Sequence, residues 1–109
     1  MSTVALTSDL IFSAKIREVA AAVGAEVLIT KTVEKVPNET TYVLFDLESR
    51  SFPAIETLKA LKLKLPNARV IGFFSHVHCD IAESALAHGA NEVMPRSRFV
   101  KVLPDLLRS

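Results

Sequence analysis

The sequence predicts an α/β fold in which five parallel strands form a doubly wound sheet with helices on both faces. Short β-branched apolar runs alternate along the chain with longer segments of helical period, and this alternation is typical of βαβ units. Parallel strands need long return connections, which those helical segments supply. With 109 residues and half of them apolar, the chain predicts one domain, residues 1–109, with one buried core.

The first half of the chain contains three predicted strands and one clear helix. The strands are Thr3–Thr7, Glu26–Thr30 and Tyr42–Leu47, and the third is unbroken in its apolar character, which indicates burial on both faces. Between the first two strands, Ser8 or Asp9 is expected to cap a helix that ends at Gly24. The connection before the third strand has room for only a shortened second helix.

The second half predicts two further strands and three helices. A helix starts near Pro53 and stops at Pro66 and Asn67, and the buried strand Arg69–Phe74 follows it. Asp80 is expected to cap the next helix, which ends at Gly89. The run NEVMP gives a fifth strand, and Pro104 is expected to kink or split the last helix.

Charge and cysteine content narrow the classes of function. The formal net charge is +1, from 13 basic and 12 acidic residues, so no nucleic acid is predicted as a partner. The first residues have neither the basic start of a signal peptide nor a long apolar run, and no membrane association is expected. A single cysteine fits a reducing compartment, and a cytoplasmic protein is predicted.

Polar side chains follow the carboxyl ends of the predicted strands, where ligands gather in folds of this class. The first strand ends at Thr7, Ser8 and Asp9, the third at Asp46 and Glu48, the fourth at Ser75 and His76, and the fifth at Pro95 and Arg96. We therefore expect a carboxylate, hydroxyl groups and a guanidinium to face one another across one edge of the sheet.

The stretch GFFSHVHCDIAE also suggests a metal site. His76 and His78 lie two residues apart and would point the same way in an extended segment, so they are candidate metal ligands. Structural zinc sites need four protein ligands, however, and the sequence has no second cluster. We keep metal binding as a less favoured alternative, with no metal assigned.

Taken together, these positions resemble the receiver domain of bacterial response regulators over nearly the whole chain. Asp46 in LFDLES matches the family's phosphoacceptor aspartate, and Ser75 in GFFSH matches the hydroxyl residue after the fourth strand. Gly89 and Ala90 match a common Gly-Ala pair, and Arg96 stands where the family has lysine. The resemblance implies a flavodoxin-like, receiver-like sheet with strand order 2-1-3-4-5.

The chain departs from the receiver pattern where the family holds Mg²⁺. The resemblance implies an acidic pair after the first strand, but Thr7 and Ser8 occupy those positions and Asp9 is one residue further on. Mg²⁺ prefers anionic oxygen ligands, and phosphoryl transfer relies on it. We therefore interpret the chain as an atypical member, a pseudo-receiver, in which Asp46 pairs with Arg96 or accepts hydrogen bonds from Ser8 and Ser75.

Two alternatives for Asp46 stay open. It is either a phosphoacceptor of a conventional response regulator, in which case Mg²⁺ would be its cofactor, or a residue that caps the following turn. The pseudo-receiver interpretation predicts no enzymatic activity, no catalytic residues and no cofactor.

The resemblance also implies a protein partner, either another signalling protein or a second copy of this chain. In receivers the fourth helix, fifth strand and fifth helix commonly form the interface, and this face corresponds to residues 80–109. The candidate contacts are Arg96, Arg98, Phe99 and Lys101, since Arg and aromatic residues are enriched at interfaces, although Phe99 could equally belong to the core.

Overall fold

The computed structural model describes residues 2–49, 52–75 and 79–108. Within these ranges five strands form one all-parallel sheet in the order β2-β1-β3-β4-β5. The strands are β1 (Ser2–Leu6), β2 (Leu28–Thr30), β3 (Thr40–Asp46), β4 (Arg69–Phe74) and β5 (Glu92–Pro95). The predicted fold class and strand order are confirmed.

Four α-helices connect or follow the strands. They are α1 (Leu10–Val23), α2 (Ala54–Lys64), α3 (Cys79–Ala87) and α4 (Arg96–Arg108). The connection between β2 and β3 contains only a short 3-10 helix, Val33–Lys35, as its length led us to expect. The helices that the receiver family would count as fourth and fifth are therefore α3 and α4 here.

The strands divide their side chains between two core layers because successive residues point to opposite faces. On one face, Ala5, Leu44 and Phe73 belong to a cluster that includes buried residues of α1 and α4. On the other, Leu6 and Phe45 pack with buried residues of α2 and α3. Burial on both faces explains the unbroken apolar runs of the central strands.

The ends of α1 form as the sequence predicts. Asp9 is the N-cap, where its side chain accepts a hydrogen bond from the Phe12 amide, and Gly24 is the C-cap. This cap fixes the backbone directly after β1. It therefore also fixes where the polar residues of the sheet edge lie.

Several predicted boundaries differ from the structure. β1 ends at Leu6 rather than Thr7, and β2 begins at Leu28 rather than Glu26. α3 already includes Cys79, so Asp80 lies in its first turn and the prediction that it is the N-cap is wrong. Helix ends commonly differ by a residue when only sequence is considered.

Pro104 was expected to kink or split the last helix, and the helix is not split. α4 continues without interruption through Pro104, although proline cannot donate the hydrogen bond that the Val100 carbonyl would accept. Phe99, Leu103 and Leu107 are buried along one face of the helix, on both sides of the proline. This packing holds the two halves against the same sheet.

Candidate functional site

The candidate site lies where the carboxyl ends of β1 and β3 meet the start of α4. A cavity of about 260 Å³ opens there. Its lining comprises Ser8, Asp9, Asp46, Glu48, Ser49 and Arg96. The fold thus brings a carboxylate, hydroxyl groups and a guanidinium together at this edge, as the sequence predicted.

Asp46 is the last residue of β3 and is 1% exposed. Its Oδ2 accepts a hydrogen bond of 2.7 Å from the Thr7 hydroxyl, and its Oδ1 accepts one of 2.9 Å from the Glu48 amide. The second bond closes a local turn of the kind that aspartate favours. Both carboxylate oxygens therefore have donors, as a buried charge requires.

Arg96 lies between two carboxylates. It is the first residue of α4, and its Nη1 is 3.0 Å from Oδ2 of Asp9 while its Nη2 is 3.6 Å from Oδ2 of Asp46. Asp46 comes from β3 and Asp9 from the loop before α1, so one guanidinium links three elements. The planar fork of arginine suits this geometry better than a lysine ammonium would.

Two phenylalanine rings support the Arg96 guanidinium. Its central carbon is 4.5 Å from the centroid of Phe12 and 5.7 Å from that of Phe73. Cations are attracted to aromatic faces, so these rings add to the ion pairs in fixing the side chain. The sequence gave no sign of this contact between Phe12 and Arg96.

Asp9 has a pKa below its ordinary value of 3.8. The main cause is the backbone hydrogen bond from Phe12, partial burial opposes it, and the hydrogen bond and charge of Arg96 lower the pKa further. The Asp9 amide also donates to the Thr7 hydroxyl over 3.2 Å. Asp9 is thus committed to both the helix cap and the Arg96 ion pair.

The two serines have partners other than Asp46. Ser8 exchanges a hydrogen bond of 2.8 Å with the hydroxyl of Ser49. The Ser75 amide and hydroxyl both donate to Oε1 of Glu48, the hydroxyl over 2.7 Å. Ser8 and Ser75 thus make these contacts rather than the expected hydrogen bonds to Asp46. The hydroxyl group that donates to Asp46 belongs to Thr7.

Ser49 was not among the predicted site residues, and Glu48 was named only as a polar residue at the end of the third strand. Both follow β3, and Glu48 stands two positions after Asp46 at the edge where the strand-end rule directs attention. Their sequence position was therefore the available signal. Their hydrogen-bond partners depend on the path of the loop after β3, which the position of a residue in the sequence does not define.

The predicted interface residues on α4 divide into exposed and buried. Arg98 and Lys101 are exposed, whereas Arg96 is turned into the ion pairs with Asp9 and Asp46. Phe99 is 0% exposed and stacks on Phe73 at 4.5 Å between ring centroids. Phe99 is thus a core residue, which is the second of the two roles that the sequence left open for it.

The donor set fits Mg²⁺ poorly in the observed arrangement. The ion requires near-octahedral oxygen coordination, and it would have to share both carboxylates with the Arg96 guanidinium, which lies 3.0 Å from Oδ2 of Asp9 and 3.6 Å from Oδ2 of Asp46. The buried Nε of Arg96 has no partner within the described ranges, and as a donor it cannot ligate a cation.

No group of three or more His, Cys, Asp or Glu side chains is arranged to hold a metal within residues 2–49, 52–75 and 79–108. His76 and His78, the candidate metal ligands of the sequence, lie outside the described residues. In the described part of the chain, no helix is long and apolar enough to cross a membrane.

No protein-family model matches the chain, and no curated protein matches it by sequence. Solved structures do match it. A response regulator from Burkholderia pseudomallei, determined with a phosphorylated aspartic acid, a calcium ion and citrate, is similar at a TM-score of 0.82 and 14% identity. The match covers 97% of this chain and 65% of that chain, so this chain spans less than two thirds of that protein's length.

Two further structures match over nearly their whole length. The CheY-like receiver domain protein from Methanospirillum hungatei JF-1 is 17% identical at a TM-score of 0.80, covering 98% of this chain and 93% of that one. The beryllofluoride-activated NtrC4 receiver domain dimer is 18% identical at 0.77, covering 99% and 98%. At these identities the comparisons establish the fold, which is that of response-regulator receiver domains.

Proposed function

We propose that the chain is a receiver-like signalling module that acts by protein–protein interaction, with Asp46 serving as a structural anion. The observation that carries this proposal is the position of Arg96, whose guanidinium pairs with both Asp9 and Asp46. In this proposal the positive charge of Arg96 takes the place of the divalent ion, and conventional Mg²⁺-dependent phosphorylation of Asp46 is lost.

The chemistry of phosphoryl transfer supports this view. A carboxylate that attacks phosphorus needs a free oxygen, and charge that develops on the phosphoryl oxygens needs a cation beside it. Asp46 is buried, and the Thr7 hydroxyl and the Glu48 amide are bound to its two oxygens. Attack would therefore require a phosphodonor to reach a carboxylate that is 1% exposed and lies beside the Arg96 guanidinium.

The competing function is a phosphoacceptor regulator that uses Asp46 and switches through Ser75. Ser75 contacts Glu48 rather than Asp46, so a switch of that kind would first have to release the Glu48 carboxylate. The network of Thr7, Asp9 and Arg96 gives Asp46 a role that needs no phosphate.

Mass spectrometry after incubation with Mg²⁺ and acetyl phosphate separates the two functions. We expect no Mg²⁺-dependent phosphoryl adduct on the native chain. A stoichiometric adduct that disappears in Asp46→Asn but persists in the control Asp80→Asn, which changes an exposed aspartate on α3, would overturn the proposal.

A second measurement tests the role of Arg96 directly. If its guanidinium takes the place of the ion, Arg96→Gln leaves two carboxylates uncompensated and Mg²⁺ should bind measurably more tightly, as read by isothermal titration calorimetry. The matched control is Arg98→Gln, which removes the same charge from an exposed position two residues away. Equal Mg²⁺ affinity in both variants would contradict the assigned role.

The proposed partner surface consists of α3, β5 and α4, and its partner is another signalling protein or a second copy of this chain. Arg98 and Lys101 are exposed on its α4 part, and the NtrC4 match is a receiver domain dimer. Sedimentation velocity at increasing concentration tests self-association. If a dimer forms, Arg98→Glu with Lys101→Glu should weaken it, whereas Lys15→Glu with Lys59→Glu, on α1 and α2, should not.

A further inference from the structure

A second cavity, larger than the one beside Asp46, lies between α1 and β2. Its volume is about 650 Å³, compared with about 260 Å³ for the Asp46 cavity. It is lined by Thr7, Ser8, Leu10, Ser13, Arg17, Leu28, Ile29, Thr30, Lys31, Thr32 and Lys35. The volume falls in the range that small organic ligands occupy in proteins.

The charges around this cavity have one sign. Arg17, Lys31 and Lys35 line it, and none of its described lining residues is acidic. Three carboxylates adjoin this lining in sequence: Asp9 pairs with Arg96 in the other cavity, Glu18 lies 3.7 Å from Lys15, and Glu34 is exposed next to Lys35. Three cationic residues that line one concavity, in a chain whose formal net charge is only +1, raise the local positive potential.

Apolar and hydroxyl groups complete the lining. Leu10 is 80% exposed and Leu28 is 46% exposed, so the rest of the fold leaves both side chains largely uncovered at the cavity. Five serine and threonine residues also line it, although the Thr7 hydroxyl donates to Asp46 and the Ser8 hydroxyl is bonded to that of Ser49. A bound organic molecule would cover the leucines, and an anionic group on it would be held mainly by the cations.

We propose that this cavity is a binding site for a small organic anion. Its carboxylate, sulfonate or phosphate group contacts Arg17, Lys31 and Lys35, and its apolar part packs on Leu10 and Leu28. The mixture of groups excludes the simpler ligands: an inorganic anion leaves the leucines uncovered, and a neutral apolar molecule leaves the cations unpaired. Ser8 lines both cavities, so a ligand here also borders the Asp46 site.

The proposal can be tested on the full chain with 8-anilinonaphthalene-1-sulfonate, an aromatic sulfonate whose fluorescence rises when it binds. We expect saturable binding to a single site, with amide shifts in the ¹⁵N spectrum concentrated at residues 7–17 and 28–35. Removal of the three charges in Arg17→Gln/Lys31→Gln/Lys35→Gln should weaken binding about tenfold, since each exposed charge contributes about twofold to threefold.

The matched control is Arg98→Gln/Lys59→Gln/Lys101→Gln, which also removes one arginine and two lysines from exposed positions. It should bind the probe like the native chain, and thermal melts confirm that both triple variants are folded. Equal loss in the two variants, or shifts that map outside residues 7–17 and 28–35, would overturn the proposal.

Two further probes separate the parts of the ligand. Inorganic phosphate and the uncharged N-phenyl-1-naphthylamine should each bind at least tenfold more weakly than the sulfonate. If either binds as tightly, the assignment of an organic anion is wrong. Neither Mg²⁺ nor Asp46 enters this experiment, so its outcome is independent of the proposed signalling function.

Discussion

Thr7 and Asp46 are joined by a hydrogen bond of 2.7 Å in which the threonine hydroxyl donates to Oδ2 of the carboxylate. Thr7 is 2% exposed and directly follows β1, and Asp46 is 1% exposed and ends the neighbouring strand β3. A carboxylate withdrawn from water to this degree needs its donors within the protein. The bond therefore stabilises the fold at the candidate site itself.

Thr7→Val should lower the free energy of unfolding by about 1.5–3 kcal/mol, because it removes a donor from a buried charged group while keeping the shape of the side chain. Urea unfolding monitored by circular dichroism measures the change. Thr7→Ser keeps the hydroxyl and loses one methyl group, so a smaller loss of about 1 kcal/mol is expected. A valine variant as stable as the native chain would contradict this account.

Acid should destabilise the protein partly through Asp9. Its pKa is lowered in the folded state, chiefly by the Phe12 amide and also by Arg96, so folding favours the ionised form. The resulting stability is complete at pH values above 3.8, the ordinary value, and is lost as the pH falls through the lower folded-state pKa.

Asp9→Asn isolates this effect because asparagine caps helices as well as aspartate does. Melting temperatures should differ most between variant and native chain at neutral pH, and the difference should shrink well below pH 3.8. Glu39→Gln, an exposed carboxylate change, serves as the control. A difference for Asp9→Asn that is constant with pH would show that the charge of Asp9 is not responsible.

The sequence was sufficient for the sheet and for most of the residues that surround the site. The unbroken apolar runs around Leu44 and Ile71 identify central strands, and Asp9 and Gly24 identify the ends of α1 because their chemistry is local. The strand-end rule brings Thr7, Asp46 and Arg96 together, since the carboxyl ends of parallel strands share one edge.

The pairing within the site was not predictable in the same way. Thr7 rather than Ser8 reaches Asp46, and Ser75 reaches Glu48, because the direction of a side chain just beyond a strand depends on the loop path. Pro104 shows the reverse case, in which burial of Phe99 and Leu107 outweighs a local helix-breaking preference.

Phe99→Ala should destabilise the fold by about 3–5 kcal/mol, the usual loss for a fully buried phenylalanine. The ring stacks on Phe73 and lies 5.8 Å from Phe12, so its removal leaves a cavity beneath the rings that support Arg96. Arg98→Ala, one position earlier and exposed, should change stability by no more than about 0.5 kcal/mol. Chemical denaturation of both variants tests whether Phe99 lies in the core and Arg98 on the surface. Equal losses of stability would contradict this assignment.

The last prediction concerns two glycines with positive φ. Gly89, after α3, has a φ of +110°, and a Cβ there would lie 2.9 Å from Cγ of Lys62. Gly24 has a φ of +71° with no heavy atom within 4 Å of such a Cβ. Gly24→Ala should therefore lose about 1 kcal/mol from backbone strain alone, and Gly89→Ala should lose more, about 2 kcal/mol or above.

Lys62→Ala distinguishes crowding from backbone strain at Gly89. The lysine Nζ donates to the Ala68 carbonyl over 3.1 Å, which restrains the side chain against moving away. If contact with Lys62 causes the extra loss, Gly89→Ala should be less damaging in the Lys62→Ala background, by about 0.5 kcal/mol or more in a double-mutant cycle. The same cycle with Gly24→Ala should show no coupling. Strictly additive losses at Gly89 would assign its whole effect to the left-handed backbone.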